Sequence, residues 1–169
     1  MYQQGKLAQI CREMDSMKLD VLGLCETRWN QSGQQDTIDG KLLLFSGMPE
    51  EDDDHIHGVG VLLSRRMRNN LISWLPVSER LITFRIKGRQ RNISIIQVYA
   101  PTEDALMEDK EAFYGQLDAV MSELPRRDVK LLMEDMNARV GDSNENLEHV
   151  LGMVGPMESV GVMRMVVSL

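Results

Sequence analysis

Val129-Lys130-Leu131-Leu132-Met133-Glu134-Asp135-Met136-Asn137 is an apolar run that stops at an acid and, one residue on, at an amide. Such a run predicts a buried strand, and in open α/β sheets ligands bind just beyond the carboxyl ends of the strands. Asp135 and Asn137 alternate with Met136, so an extended backbone points both the same way. A carboxylate beside an amide suits a divalent cation, or a phosphate and its attacking water. Asp-x-Asn after a strand is also ordinary turn chemistry, so the pattern gains meaning only from the rest of the chain.

Working outward, the apolar residues Phe113, Leu117, Val120, Met121 and Leu124 follow helical spacing within Glu108 to Leu124, and Pro125 closes that helix. Arg80 to Ile86 and Asn92 to Tyr99 alternate in the manner of strands. Between them lies the polar, glycine-containing Lys87-Gly88-Arg89-Gln90-Arg91, so the pair predicts a hairpin. Val59 to Ser64, Lys41 to Ser46 and Leu19 to Cys25 are further strands, with acidic Glu50 to Asp54 as a solvated loop. Leu7, Ile10, Cys11, Met14 and Met17 fall on one stripe of an amphipathic helix. Strands in pairs with helices between them indicate a two-layer or sandwich α/β domain of mixed sheets. After Asn137 the order fades: Asp142 to Asn146 is turn-like, and 151–169 is rich in Gly, Val and Met with neither period.

A chain of 169 residues, 43% of them hydrophobic, is long enough for one domain with a core, and no repeat or linker marks a second. The net charge of −7 argues against a strongly basic protein that coats nucleic acid, and leaves metal-assisted chemistry open. Cys11 and Cys25 sit in apolar contexts without ligand spacing, which reads as reduced, buried thiols in an intracellular protein, nucleus and cytoplasm not being distinguished. The first residues lack the apolar core of a signal peptide. No segment approaches the roughly 18 apolar residues of a membrane helix, so a membrane is not an expected partner.

Glu26 ends the first strand, and a strand-end carboxylate is well placed to hold Mg²⁺, which takes one or two carboxylates plus phosphate and water. The plainer reading is a surface ion pair with Arg28. Trp29 either stacks on a base or caps the core, with composition favouring the core. Tyr99 ends the second hairpin strand before Ala100-Pro101-Thr102, where its phenol can donate to a phosphate oxygen or simply sit on the sheet rim. His55 and His57 flank Ile56 in the acidic loop as at most a casual metal site, and His149 beside Glu148 is a minor candidate for a base.

Taken in order, Glu26-Thr27-Arg28-Trp29, Gly58-Val59-Gly60-Val61-Leu62-Leu63-Ser64, Gln97-Val98-Tyr99-Ala100-Pro101-Thr102 and Asp135-Met136-Asn137-Ala138-Arg139-Val140-Gly141 resemble the endonuclease/exonuclease/phosphatase superfamily. Within it the likeness is to the endonuclease domain of non-LTR retrotransposons and the craniofacial development protein 2-like proteins. The resemblance implies a deoxyribonuclease-like four-layer α/β sandwich that cleaves phosphodiester bonds of DNA with Mg²⁺ or Mn²⁺. It implies that Glu26 binds the metal, that Tyr99 contacts the scissile phosphate, and that Asp135 and Asn137 position the attacking water and the phosphate.

Departures from the pattern set the remaining expectations. The family's first strand carries an Asn of the metal and phosphate site, and the chain opens just after its place. Glu134 stands where relatives have glycine, and a second carboxylate there would repel the substrate. Nothing after Gly141 matches the late Asp and the closing Ser-Asp-His strand. The reading is therefore a partial domain over 1–141, incomplete at both ends, with a divergent tail over 142–169. Loss of one member of a catalytic unit costs nearly as much as loss of all, so weak or lost hydrolysis is expected. The alternative is a non-catalytic binding module or an unstable remnant, and a phosphatase acting on a small or lipid phosphate is a third reading. Uncovered sheet edges predict poor solubility or oligomers, which a sharp, monomeric, cooperative melt would contradict.

Overall fold

The computed structural model describes residues 2–47, 57–135 and 166–168, with the side chains of 5–47 and 57–133. The predicted helices are α1 (Tyr2–Ser16) and α3 (Met107–Glu123), and a single turn, α2 (Arg65–Arg68), lies between them. The expected strands are β1 (Val21–Cys25), β3 (Leu42–Ser46), β4 (Val59–Leu63), the hairpin β6 (Leu81–Ile86) and β7 (Ile93–Tyr99), and β8 (Val129–Asp135), which is not the buried strand its apolar run predicts, since Val129 and Leu131 are exposed at the sheet edge. Three more were not anticipated: β2 (Gly33–Asp36), β5 (Leu71–Ser78) and β9 (Val166–Ser168).

Two mixed sheets result. One runs β2-β3-β4-β1-β9, antiparallel except where β9 joins β1 in parallel. The other runs β5-β6-β7-β8, antiparallel until β8 joins β7 in parallel after the crossover through α3. A parallel neighbour needs such a crossover, because a tight turn only reverses the chain.

Alternation along the strands sorts the side chains into layers. Val59, Val61 and Leu63 of β4, Cys25 of β1, Ile82 and Phe84 of β6 and Ile95 of β7 meet between the sheets. The intervening Leu22, Leu24 and Leu62 face the opposite way and pack under Ile10, Cys11 and Met14 of α1. Ile96 and Val98 likewise turn outward onto Phe113 of α3, with Leu117, Val120 and Met121 alongside. The order helix, sheet, sheet, helix is the four-layer α/β sandwich that the sequence predicts. Strands covered on both faces have no reason to alternate with polar residues, which is why they read as near-continuous apolar runs.

A large polar side chain sits inside the central layer. Gln97 is fully buried, donating to the Val98 carbonyl (3.1 Å) and approaching Cys25 Sγ (3.5 Å). Gly23 makes room for it: a Cβ there would lie 2.0 Å from Gln97 Oε1. Gly23 and Gln97 thus let β1 and β7 approach closely, two residues before the strand ends that carry Glu26 and Tyr99. No described helix is long and apolar enough to cross a membrane.

Candidate functional site

Where β1 ends, the backbone leaves the extended region. Glu26 and Arg28 both adopt φ 54°, the left-handed region that non-glycine residues enter at a cost of order 1–3 kcal/mol each. The segment is fastened to the residues entering β4: Thr27 N–H donates to the Gly58 carbonyl (3.1 Å) and Arg28 N–H to the His57 carbonyl (2.9 Å). Gly58 has φ 123°, and a Cβ on it would fall 2.4 Å from Thr27 Oγ1, so no larger residue fits without displacing the loop. The twisted backbone turns Glu26 across the gap between the sheets, where Tyr99 Oη donates to its Oε1 at 3.0 Å. Residues 73 positions apart, one from each sheet, thereby share a hydrogen bond. The plainer pairing with Arg28 is not what holds the Glu26 carboxylate, and Arg28 is exposed. Trp29 packs edge-on against Phe45 (4.9 Å) on the α1 side, the core position that composition favoured.

Tyr99 is the register partner of Asp135 across β7 and β8, and Val98 that of Glu134. The backbone therefore brings Glu26, Tyr99 and Asp135 to one end of the sandwich. The side chains of Glu134 and Asp135, together with Asn137, His55, His149 and the acidic Glu50 to Asp54, lie outside the described residues.

Two side chains join this group: Arg80, which the sequence did not single out, and His57, which it offered only as half of a casual metal site with His55. Arg80 lies over the Tyr99 ring, its Cζ 5.4 Å from the centroid, and donates to the Tyr99 carbonyl (3.3 Å) and to His57 Nε2 (2.8 Å). Because guanidinium only donates, His57 Nε2 is the acceptor in this contact. The His57 ring is 6.0 Å from that of Tyr99. Antiparallel pairing was the available signal. The start of β6 must lie beside the end of β7, and the approach to β4 beside the exit of β1, which brings Arg80 and His57 to Tyr99 and Glu26.

Chemically, the cluster offers a carboxylate, a phenol and a guanidinium at a strand-end cleft. Among the described residues no three His, Cys, Asp or Glu side chains are grouped as metal ligands. Mg²⁺ does not require such a group, since it keeps several waters and takes one or two carboxylates beside substrate phosphate. Glu26, engaged by Tyr99 through one oxygen, retains acceptor capacity for that purpose.

The architecture is that of the endonuclease/exonuclease/phosphatase proteins. It aligns with the endonuclease domain of TRAS1, a telomere-specific non-LTR retrotransposon, at a TM-score of 0.52 and 15% identity, over 78% of this chain and 53% of that one. A humanized TDP2 of D. rerio gives 0.54 and 12% over 82% and 57% of the two chains. An endonuclease/exonuclease/phosphatase family protein of Leptotrichia buccalis gives 0.54 and 14% over 88% and 69%. In sequence, the chain is 30% identical over 151 residues to craniofacial development protein 2 of Bos taurus and 29% to that of Tragulus javanicus. Those matches take in 89% of this chain but only 24% and 25% of the relatives, so it spans about a quarter of their length. No protein-family profile matches the chain. The chain thus has homologues in craniofacial development protein 2 and shares the fold of those three solved structures.

Proposed function

We infer that this chain is an endonuclease-like domain of retroelement origin whose site acts on the phosphodiester bonds of DNA with Mg²⁺ or Mn²⁺. The observation that carries this reading is the 3.0 Å hydrogen bond from Tyr99 Oη to Glu26, with Asp135 in register beside Tyr99. The resemblance assigns those residues, with Asn137, to one phosphate and one cation, and a shared site requires that they meet. A divalent cation, when bound, neutralises charge developing on the phosphate and polarises the leaving oxygen. Glu26 is the residue to hold it. Tyr99, released from Glu26, turns its hydroxyl to a phosphate oxygen, and Asp135 with Asn137 orients the attacking water. Arg80, braced by the Tyr99 carbonyl and His57, keeps the phenol ring in place and adds positive charge beside the phosphate.

A non-catalytic binding module is the second reading, favoured by Glu134, which sets another acid next to Asp135. Plasmid nicking with and without Mg²⁺, on wild type, Glu26→Ala and Asp135→Ala, separates the two. Metal-dependent nicking lost in both variants supports the enzyme; retained DNA binding without nicking leaves the module. Nicking that survives both substitutions would sink the site assignment.

A further inference from the structure

At the opposite end of the sandwich lies a hollow of about 570 Å³ that the nuclease reading does not use. The β6–β7 hairpin lines it with Arg85, Arg91 and the amides of Gln90 and Asn92. The turn before β8 closes it with Arg126 and Arg127. The two walls are fixed to each other, since Val129 N–H donates to the Asn92 carbonyl (2.9 Å) and the turn is closed by Asp128 N–H on the Pro125 carbonyl (3.1 Å).

Charge there runs against the composition of the chain. The one carboxylate in the lining, Asp128, is 3% exposed and fully engaged: Arg85 donates to it through Nε (2.6 Å) and Nη2 (2.9 Å), and Ser94 Oγ adds a third bond (2.7 Å). The Arg85 guanidinium, hydrogen-bonded to that carboxyl, holds its pKa below the ordinary value. Asp128 therefore cancels Arg85 and nothing more. Arg91, Arg126 and Arg127 are exposed, and among the described residues none of the three is in an ion pair. In a chain of net charge −7, three uncompensated guanidinium groups around one hollow are a local reversal of sign. Lys87 and Arg89 in the same hairpin turn extend it.

We propose that this hollow binds a phosphate-bearing ligand of nucleotide size. Guanidinium is always charged and presents a planar fork that matches paired anionic oxygens, and three such groups around one hollow favour the multiply charged phosphate over a single carboxylate or chloride. The volume lies within the roughly 300–1,000 Å³ of small-ligand pockets. Gln90 and Asn92 supply both donors and acceptors for the uncharged part of the ligand. The site is separate from the one built on Glu26 and Tyr99. Strand β7 spans seven residues between them, about 20 Å at the rise of a strand, so one phosphate cannot serve both. The inference consequently stands whether or not the chain cleaves DNA.

Calorimetric titration of the full chain in EDTA, which removes divalent cations from the Glu26 end, tests it with four probes. They are pyrophosphate, ATP, and one short oligodeoxynucleotide with and without a 5′-phosphate. Pyrophosphate or ATP is expected to bind below about 1 mM. Binding should weaken at least tenfold in Arg126→Gln/Arg127→Gln, and separately in Arg91→Gln on the other wall. Glu26→Gln should leave it unchanged. Preference for ATP over the phosphorylated oligonucleotide identifies a free nucleotide as the source, and the reverse identifies a strand end. Equal binding of the two oligonucleotides, with neither pyrophosphate nor ATP bound, would make this face a nucleic-acid backbone surface and overturn the pocket. So would binding that both sets of variants leave intact while their circular dichroism matches wild type, or no binding of any probe.

Discussion

At the carboxyl end of β7, Tyr99 sits among a carboxylate, a guanidinium and an imidazole, next to backbone held in the left-handed region at Glu26 and Arg28. At its amino end, Asn92 and Ser94 sit beside a hairpin and a closed turn whose unspent charges are all positive. The strands are common to both ends; the connections differ. Sheet geometry alone accounts for the first, because α/β sheets open a crevice beyond their strand carboxyl ends and the chain must twist there to aim a side chain inward. The second owes its character to the composition of two short turns. Left-handed backbone at Glu26 and Arg28 aims side chains at the first end, and an excess of positive charge distinguishes the second.

The sharpest way to break this contrast is Glu26→Gln. The amide keeps an acceptor for Tyr99 Oη but gives up the charge a cation needs, so Mg²⁺-dependent nicking should fall by roughly two to three orders of magnitude. The thermal midpoint should barely move. A comparable loss of folding stability would instead make Glu26 a structural residue. Next in size is Gly58→Ala. Its φ of 123° and the 2.4 Å approach to Thr27 Oγ1 predict about 1–3 kcal/mol of destabilisation in urea. The loss should come with nicking reduced through the displaced Thr27–Arg28 loop, while phosphate binding at the far hollow stays at wild-type affinity. If both ends lose function together, they are not the independent sites described above.

How far these features are legible in sequence depends on burial. Strands covered on both faces, β1, β3 and β4, declare themselves because nearly every residue in them is under pressure to be apolar, while β6 and β7 declare themselves by alternation. Edge strands differ: β8 shows as an apolar run although Val129 and Leu131 are exposed, whereas β2 and β5 leave no signal. Gly33-Gln34-Gln35-Asp36 forms β2 with β3 as its one strand partner, and β5 carries Pro76 and two register irregularities. Proline is tolerated there because an edge strand has an unpaired side, and the same freedom erases the periodic signal. In the site, Glu26 and Tyr99 could be nominated from their places at strand ends. Arg80 was not nominated and His57 only as part of a casual metal site, because what brings them to Tyr99 and Glu26 is the antiparallel partner of each strand, a relation read from strand pairing and not from any one segment. The same holds for the far hollow, whose walls are 35 residues apart in sequence between Arg91 and Arg126.

Tyr99→Phe is a smaller probe of the carboxyl end. It deletes the hydroxyl on Glu26 and keeps the ring under Arg80, so the stability change should be about 1 kcal/mol, the scale of one partly screened hydrogen bond. Nicking should drop about tenfold or more if the phenol also serves the phosphate, with the loss in kcat rather than KM. A change confined to stability would reduce Tyr99 to a rim residue that orients Glu26.

The mildest perturbation belongs to the other end and shows only in acid. Asp128 has its carboxyl pKa lowered by the hydrogen bonds from Arg85 and Ser94, so the folded state binds a proton less readily than the unfolded chain does. A depressed folded value means the stabilisation is complete above the unfolded carboxylate pKa of about 3.9 and disappears as pH falls through the lower, folded one. Asp128→Asn should therefore flatten the acid limb of a melting-temperature profile below about pH 4. The acid loss carried by the other ion-paired carboxylates, Asp20 and Asp39, should persist. In the same variant, Arg85 loses its counter-charge and adds a fourth guanidinium to the hollow at neutral pH, so pyrophosphate should bind more tightly than to wild type. Tighter binding with a flatter acid limb ties the charge of the hollow to that one neutralised pair; weaker binding would mean that Asp128 holds the walls in place rather than merely cancelling Arg85.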